Sequence, residues 1–111
     1  MWEKSRHGAI DVISGTEPLT LETCDSLRRL LEDCVNDGQP QLVLDFQQIP
    51  LIDSAGLELL LDIRESCVRR GGQFQLAALN TLCLDILQVT GIASQFELYD
   101  DSVAAAGSHV Q

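Results

Sequence analysis

Hydrophobic residues along the chain fall into two patterns, short apolar runs and longer stretches with helical spacing. The short runs have the length and apolar content of strands and cover residues 9–14, 42–46, 74–78 and 96–99. The longer stretches have apolar residues three or four positions apart and cover residues 21–36, 56–70 and 81–90. Strands that alternate with helices are usually joined by right-handed crossovers and lie parallel. The pattern therefore predicts a small α/β sheet covered by helices.

Polar and glycine residues mark where these helices begin and end. Thr20 and Asn80 are expected to cap the first and third helices, and Gly38, Gly71 and Gly91 follow the helix ends. After residue 101 we expect one helical turn over 103–106 or a frayed end. The helical positions that we expect to be buried are Leu21, Cys24, Leu27, Leu31, Cys34, Val35, Leu57, Leu60, Leu61, Ile63, Cys67, Val68, Leu82, Cys83, Ile86, Leu87 and Val89.

The charge balance narrows the classes of partner. Seventeen acidic and seven basic residues give the 111-residue chain a net charge of −10, and 45% of its residues are hydrophobic. Such a chain is long enough for one folded domain, and its charge repels nucleic acid and anionic lipid. No apolar run is long enough to span a membrane, and the start of the chain lacks the apolar segment of a signal peptide. We therefore expect a cytoplasmic protein without nucleic-acid or membrane binding.

Cysteine and histidine offer no metal or catalytic pattern. Cys24, Cys34, Cys67 and Cys83 form no CxxC pair and lie among apolar neighbours in the predicted helices, so we expect them to be reduced and buried. The two histidines, at positions 7 and 109, are expected in polar tails near opposite ends of the chain. The sequence thus indicates no metal site, no cofactor and no catalytic residue.

One polar group stands where a strand-like segment gives way to a helix. Asp53 and Ser54 follow the apolar Ile52 and precede Gly56. Free backbone amides and the helix dipole, about +0.5 charge, favour an anion such as phosphate here. An ordinary helix cap explains the same residues, because Asp and Ser are preferred caps. A nucleophilic serine does not fit, since that motif needs Gly where Ile52 stands, and no histidine is placed to act as its base.

These residues carry a resemblance to a known family. The stand-alone bacterial anti-sigma factor antagonists of the STAS domain family are resembled in the segments Leu42–Phe46, Ile52–Leu57, Arg70–Gly72, Ile86–Leu87, Thr90–Ile92 and Phe96–Asp100. The resemblance implies an α/β fold with a small mixed, largely parallel sheet of four or five strands and helices packed mainly on one side. It also implies a single domain over 1–111, with a core at about 10–101 and a tail or short helix over 102–111.

The resemblance further implies a regulatory switch and not an enzyme. Ser54 matches the serine that is phosphorylated in the family by a partner that is both a serine kinase and an anti-sigma factor. The unphosphorylated domain binds this partner, the phosphorylated domain releases it, and a phosphatase resets the switch. Asp53 would orient Ser54, and Gly56 would let the backbone approach the partner. The residues expected to bind the partner are Asp53, Ser54, Ala55, Gly56, Leu57 and Glu58.

Three departures from the family pattern keep an alternative open. Residues 15–18 are Gly-Thr-Glu-Pro and lack the Asp that is frequent there, and Glu58 replaces a frequent Gly. The N-terminal region is short, so we expect its first edge strand to be absent or irregular. The alternative is a STAS interaction module that is not phosphorylated and belongs to a stress-sensing or transporter-associated complex. Nucleotide binding is disfavoured because the chain has no Gly-rich phosphate loop.

Overall fold

A computed structural model describes residues 1–108 as one mixed sheet with helices on both faces. The strands within these residues are β1 (Trp2–His7), β2 (Ile10–Gly15), β3 (Gln41–Asp45), β4 (Gln73–Ala77) and β5 (Leu98–Tyr99). The helices are α1 (Cys24–Val35), α2 (Ser54–Arg69), α3 (Thr81–Val89) and α4 (Ser102–Ser108), with a 3-10 helix at Ile92–Gln95. The strand order is β1-β2-β3-β4-β5; β1 is antiparallel to β2, and the other neighbouring pairs are parallel. The predicted fold class is confirmed.

The sheet buries an apolar layer on each face, because successive residues of a strand point to opposite sides. Leu42 and Leu44 of β3 belong to the main core, which they share with residues of α1, α2 and α3. Val43, between them, belongs to a smaller core that includes Ala105 of α4. Three helices therefore pack against one face and α4 packs against the other, where only a single turn or a frayed end had been expected.

The first edge strand is regular, which corrects the expectation that it would be absent or irregular. All six residues of β1 pair with β2, and a two-residue turn at Gly8 and Ala9 connects the strands. Gly8 has a φ of +67°, which hairpin turns favour. Of the six residues of β1, Trp2 is half-buried and the other five are exposed. The strand therefore has no alternation of apolar and polar residues, and the hydrophobic pattern of the sequence did not predict it. His7 accordingly lies in a strand and not in a polar tail, and its Nε2 is 3.0 Å from the Ser5 hydroxyl.

Four apolar residues that we expected in buried helix faces are exposed: Leu21, Val68, Leu82 and Val89. Leu21 precedes α1, which begins at Cys24, so helical spacing does not apply to it. Val68 and Leu82 are each one position from a buried cysteine, which turns them about 100° away from the buried line.

Several predicted boundaries also move. Thr23 and not Thr20 precedes α1, because the Thr23 hydroxyl accepts the Thr20 N–H and donates to the Pro18 carbonyl, closing a turn before the helix. The second helix starts two residues earlier than predicted, at Ser54, and β5 is two residues shorter at its start because the 3-10 helix extends to Gln95.

Candidate functional site

The start of α2 and the loop before α1 form one hydrogen-bonded unit at the carboxyl end of the sheet. Leu19 in the loop pairs with Ile52 in an isolated parallel bridge. The Leu19 N–H donates to the Leu51 carbonyl at 2.9 Å, and the Asp53 N–H donates to the Leu19 carbonyl at 3.1 Å. These bonds fix the backbone that leads into the Asp53 cap.

Asp53 connects the helix to this loop through both carboxylate oxygens. Its Oδ1 accepts the Gly56 N–H at 3.0 Å, which caps α2, and its Oδ2 accepts the Leu21 N–H at 3.0 Å. The hydrogen bond from Gly56, supported by the one from Leu21, lowers the pKa of Asp53 even though partial burial opposes this. The ordinary cap considered from the sequence is therefore present, and it carries a negative charge at neutral pH.

Ser54 is the first residue of α2, and its side chain is exposed. Within residues 1–108 its hydroxyl has no hydrogen-bond partner. The helix dipole favours negative charge at this position, whereas the neighbouring Asp53 carboxylate opposes it. A reacting group or a partner can therefore reach the hydroxyl directly, as the sequence interpretation requires.

Gly56 has an internal role that differs from the one expected. The residue is buried, and a Cβ at this position would lie 2.5 Å from the Leu19 carbonyl oxygen and 2.8 Å from Cγ1 of Ile52. Real Cβ atoms essentially never come this close to backbone. The close approach that Gly56 permits is thus between α2 and the chain's own loop, so the space at this glycine is already filled.

The other predicted partner-binding residues divide by exposure. Ala55 and Leu57 are half-buried and pack against the main core, whereas Glu58 is exposed one helical turn after Ser54. Leu21 and Leu51, which we had not assigned to the site, are 74% and 39% exposed close to the Asp53 cap. Leu21 had been assigned to a helix face, and its link to Asp53 spans 32 positions, so no local sequence signal could reveal it.

A second capped helix begins beside this unit. The Asn80 Oδ1 accepts the Cys83 N–H at 2.8 Å, which confirms Asn80 as the cap of α3. Its Nδ2 donates to the carbonyls of Ile49 and Pro50 at 3.4 and 3.1 Å. Asn80 therefore joins the start of α3 to the segment that leads into α2.

The remaining candidate groups are buried or outside the described residues. All four cysteines are free and buried, as expected. Burial raises the pKa of Cys34 to about 11 and that of Cys67 to about 12. His109 lies outside the described residues. No helix within residues 1–108 combines the length and the apolar character that crossing a bilayer requires.

The sheet order, the single helix on the second face and the capped start of α2 define a small α/β domain with a mixed, largely parallel sheet. The family model for the STAS domain matches residues 1–105, and the chain belongs to this family. No curated protein matches the sequence.

Solved structures share the fold at low sequence identity. A proposed anti-sigma factor antagonist of Thermotoga maritima is 19% identical with a TM-score of 0.92, covering 99% of this chain and 95% of that one. The phosphorylated form of the Bacillus cell fate determinant SpoIIAA is 15% identical with a TM-score of 0.76, and all of both chains is covered. A sulfate transporter family protein of Wolinella succinogenes is 22% identical with a TM-score of 0.77, covering 92% of this chain and 85% of that one.

Proposed function

We propose that this chain is an anti-sigma factor antagonist whose affinity for an anti-sigma factor with serine kinase activity is set by phosphorylation of Ser54. The observation that carries the proposal is the exposed Ser54 hydroxyl at the first position of a capped helix. Family membership and the likeness to anti-sigma factor antagonists support it. The protein acts in the cytoplasm, where its kinase has ATP, and it catalyses no reaction itself.

The proposed modification is a phosphoryl transfer. The kinase transfers the γ-phosphoryl group of ATP to the Ser54 oxygen, so that an O–P bond forms, the bond between the β- and γ-phosphates breaks, ADP leaves, and the hydroxyl proton passes to a base of the kinase. A phosphatase resets the switch when water attacks the phosphorus, the bond between the Ser54 oxygen and phosphorus breaks, the Ser54 oxygen regains a proton, and inorganic phosphate leaves. Both reactions need Ser54 to be accessible, and the residue is exposed.

Local electrostatics favour a large effect of the phosphate on binding. Phosphorylation adds about −1.5 to −2 charge and three acceptor oxygens. Asp53 lies next to Ser54, and Glu58 lies one helical turn away. A contact that excludes water from Ser54 would bury a dianion beside these acids without a matching cation. A hundredfold change in affinity corresponds to roughly 3 kcal/mol. The free energy lost by desolvating the dianion exceeds this value even if only part of its hydration is removed.

Phosphorylation in vitro tests the proposal directly. Each serine kinase of the source organism that has anti-sigma activity is incubated with the purified chain and Mg-ATP, and the modified residue is mapped by mass spectrometry. We expect one kinase to modify Ser54, to leave the Ser54→Ala variant unmodified, and to modify Thr81→Ala as it does the wild type. The Thr81 variant is the matched control, because Thr81 is also an exposed hydroxyl residue at the first position of a capped helix. Phosphate on another residue, or on none, contradicts the proposal.

Binding measurements test the consequence of the modification. We expect Ser54→Asp to weaken binding of that kinase by about tenfold or more in calorimetry, with the far-UV circular dichroism spectrum unchanged. Equal affinities of Ser54→Asp and the wild type would argue against a charge switch.

A second candidate is an interaction module of a stress-sensing or transporter-associated complex that is not phosphorylated. It is favoured by residues 15–18, which supply no Asp near the site, and by the fold shared with the Wolinella sulfate transporter family protein. Light scattering of the chain purified from its source at native abundance distinguishes the two. A stable large assembly with unmodified Ser54 supports the module, whereas a small species that is partly phosphorylated supports the switch.

A further inference from the structure

The first half of β4 has an open outer edge. The short strand β5 pairs with only the last two residues of β4, Leu76 and Ala77. The Leu76 N–H donates at 3.2 Å to a carbonyl of the segment that leads into β5, and successive residues of a strand direct their N–H groups to opposite sides. The Phe74 N–H, two residues earlier, therefore points to the same outer side, where no strand pairs with it. The space there is a cleft of about 160 Å³, and Phe74 is one of the residues that line it.

Two side chains of opposite charge line this cleft without forming an ion pair. Arg64 of α2 donates from Nε to the Gln95 carbonyl, and within residues 1–108 its two terminal nitrogens have no partner. Oε2 of Glu97 accepts the Gln75 amide at 3.0 Å and the Tyr99 hydroxyl at 2.7 Å, whereas its Oε1 has no partner in the same part of the chain. Each charged group is thus held in place by one side and keeps hydrogen-bonding capacity for a molecule in the cleft.

These two charges decide which molecules the cleft accepts. A simple anion is repelled by Glu97 and by the net charge of −10 of the chain, and a simple cation is repelled locally by Arg64. A molecule that carries both a carboxylate and an ammonium group has no net charge, and each of its ends meets the opposite charge. Arg64 suits the carboxylate in particular, because a guanidinium group binds a carboxylate through two parallel hydrogen bonds.

The size and the walls of the cleft limit the ligand further. Its volume of about 160 Å³ is below the roughly 300 Å³ at which pockets for drug-sized ligands begin, so only a small molecule fits. Val68, which is 54% exposed in α2, adds an apolar wall. Gln75 is 3% exposed and holds the Glu97 carboxylate, so this side of the cleft is fixed before a ligand enters.

We propose that this cleft binds a small free amino acid as a zwitterion. The carboxylate of the ligand accepts hydrogen bonds from the terminal nitrogens of Arg64 and from the Phe74 N–H, and its ammonium group donates to Oε1 of Glu97. Arg64 lies about 15 Å along the helix axis from Ser54, which starts the same helix. The cleft is therefore separate from the serine, and this proposal does not depend on the proposed function.

Nitrogen-15 NMR titrations of the full chain test the ligand class. The compounds are alanine, β-alanine and 4-aminobutyrate, which differ in the spacing of the carboxylate and the ammonium group, with acetate and methylammonium as singly charged controls at constant ionic strength. We expect at least one of the amino acids to shift the Phe74 amide and Arg64 Nε–H signals to saturation, and both controls to bind about tenfold more weakly or less. No saturable shift with any amino acid, or acetate binding as tightly as the best of them, overturns the proposal.

Charge-neutralising variants test the two proposed contacts. Glu97→Gln keeps an oxygen for Gln75 and Tyr99 and removes only the charge, so we expect it to raise the Kd of the best amino acid about fivefold or more, as Arg64→Gln should. Glu3→Gln is the matched control, because Glu3 is an exposed carboxylate that lines a different cavity, and it should leave the Kd unchanged. The melting temperatures of Glu97→Gln and Glu3→Gln should stay close to that of the wild type. Wild-type affinity in Glu97→Gln, or an equal loss in Glu3→Gln, contradicts the assignment.

Discussion

The first turns of α2 and α3 are built alike, yet only the start of α2 has a charged cap that is bonded to the loop before α1. In each helix an Asp or Asn cap accepts the N–H of the third helical residue, from Gly56 in α2 and from Cys83 in α3. In each helix an exposed hydroxyl residue follows the cap, Ser54 or Thr81. Local capping chemistry therefore cannot by itself distinguish Ser54, the proposed phosphorylation site, from Thr81, for which no role is proposed.

The two starts differ in what the cap does with its remaining polar atoms. The Asp53 carboxylate is charged, and its second oxygen accepts the Leu21 N–H, which fixes the backbone of an exposed leucine at the cap. The amide of Asn80 is neutral and donates to carbonyls of the segment that leads into α2. The two helix starts share the cap motif and differ in the contact that the cap makes with a neighbouring loop. At α2 this contact joins a charged carboxylate to the loop that carries the exposed Leu21.

The largest change in the free energy of unfolding is expected at the third helical position, where α2 has Gly56 and α3 has Cys83. Gly56→Ala should destabilise the protein by about 1–3 kcal/mol in urea unfolding, because its Cβ would meet the Leu19 carbonyl at 2.5 Å. Gly107→Ala in α4 is the matched control, since no atom lies within 4 Å of its Cβ position, and it should stabilise by up to about 1 kcal/mol. Equal effects of both changes would show that the contact between α2 and the loop before α1 is looser than described.

Removing either cap should have the next largest effect. We expect Asp53→Ala and Asn80→Ala each to lower the free energy of unfolding by about 1–2 kcal/mol, since each leaves a helix N–H unsatisfied and breaks a link to a neighbouring loop. Asp53→Asn keeps an acceptor oxygen for the Gly56 N–H and should cost less than Asp53→Ala. A smaller loss for Asp53→Ala than for Asp53→Asn would contradict the capping role. Urea unfolding at pH 7 measures all three variants.

Lowering the pH should weaken the stabilising contribution of the charged Asp53 cap and leave that of the neutral Asn80 cap unchanged. Hydrogen bonds lower the pKa of folded Asp53, so its stabilising contribution is complete above the ordinary Asp value of about 3.9 and is lost as the pH falls through the folded pKa. The difference in unfolding free energy between wild type and Asp53→Asn should therefore shrink as the pH falls below about 4. The difference between wild type and Asn80→Ala should stay constant over the same range. A parallel decline in both would point to global acid effects instead.

The smallest effect is expected when the hydroxyls are removed. Ser54→Ala and Thr81→Ala should each change the free energy of unfolding by less than about 0.5 kcal/mol, because both side chains are exposed. A larger loss for Ser54→Ala would mean that its hydroxyl is needed for the fold and would weaken its assignment as a free acceptor of phosphate.

Apolar periodicity predicted the interior strands and helices, because their burial leaves a repeating pattern in the chain. It failed for β1, which is held by backbone pairing at an exposed edge, and for Leu82 and Val89, which are apolar but lie outside the buried faces of α3. The Asp53 and Asn80 caps were found because an N-cap is a local preference of residue type. Their second hydrogen bonds were not found, because those bonds join positions about 30 residues apart.

The sequence by itself determined the α/β class, the three main helices, and the place of Asp53 and Ser54 at a helix start, since each of these follows from periodicity and residue preference within a short window. Only the tertiary structure decided that Gly56 serves the chain's own loop and that Leu21 and Leu51 flank the proposed site. The physical reason is that hydrogen bonds and exposure at this site depend on loops brought together by the sheet, and no short stretch of sequence contains both sides of such a contact.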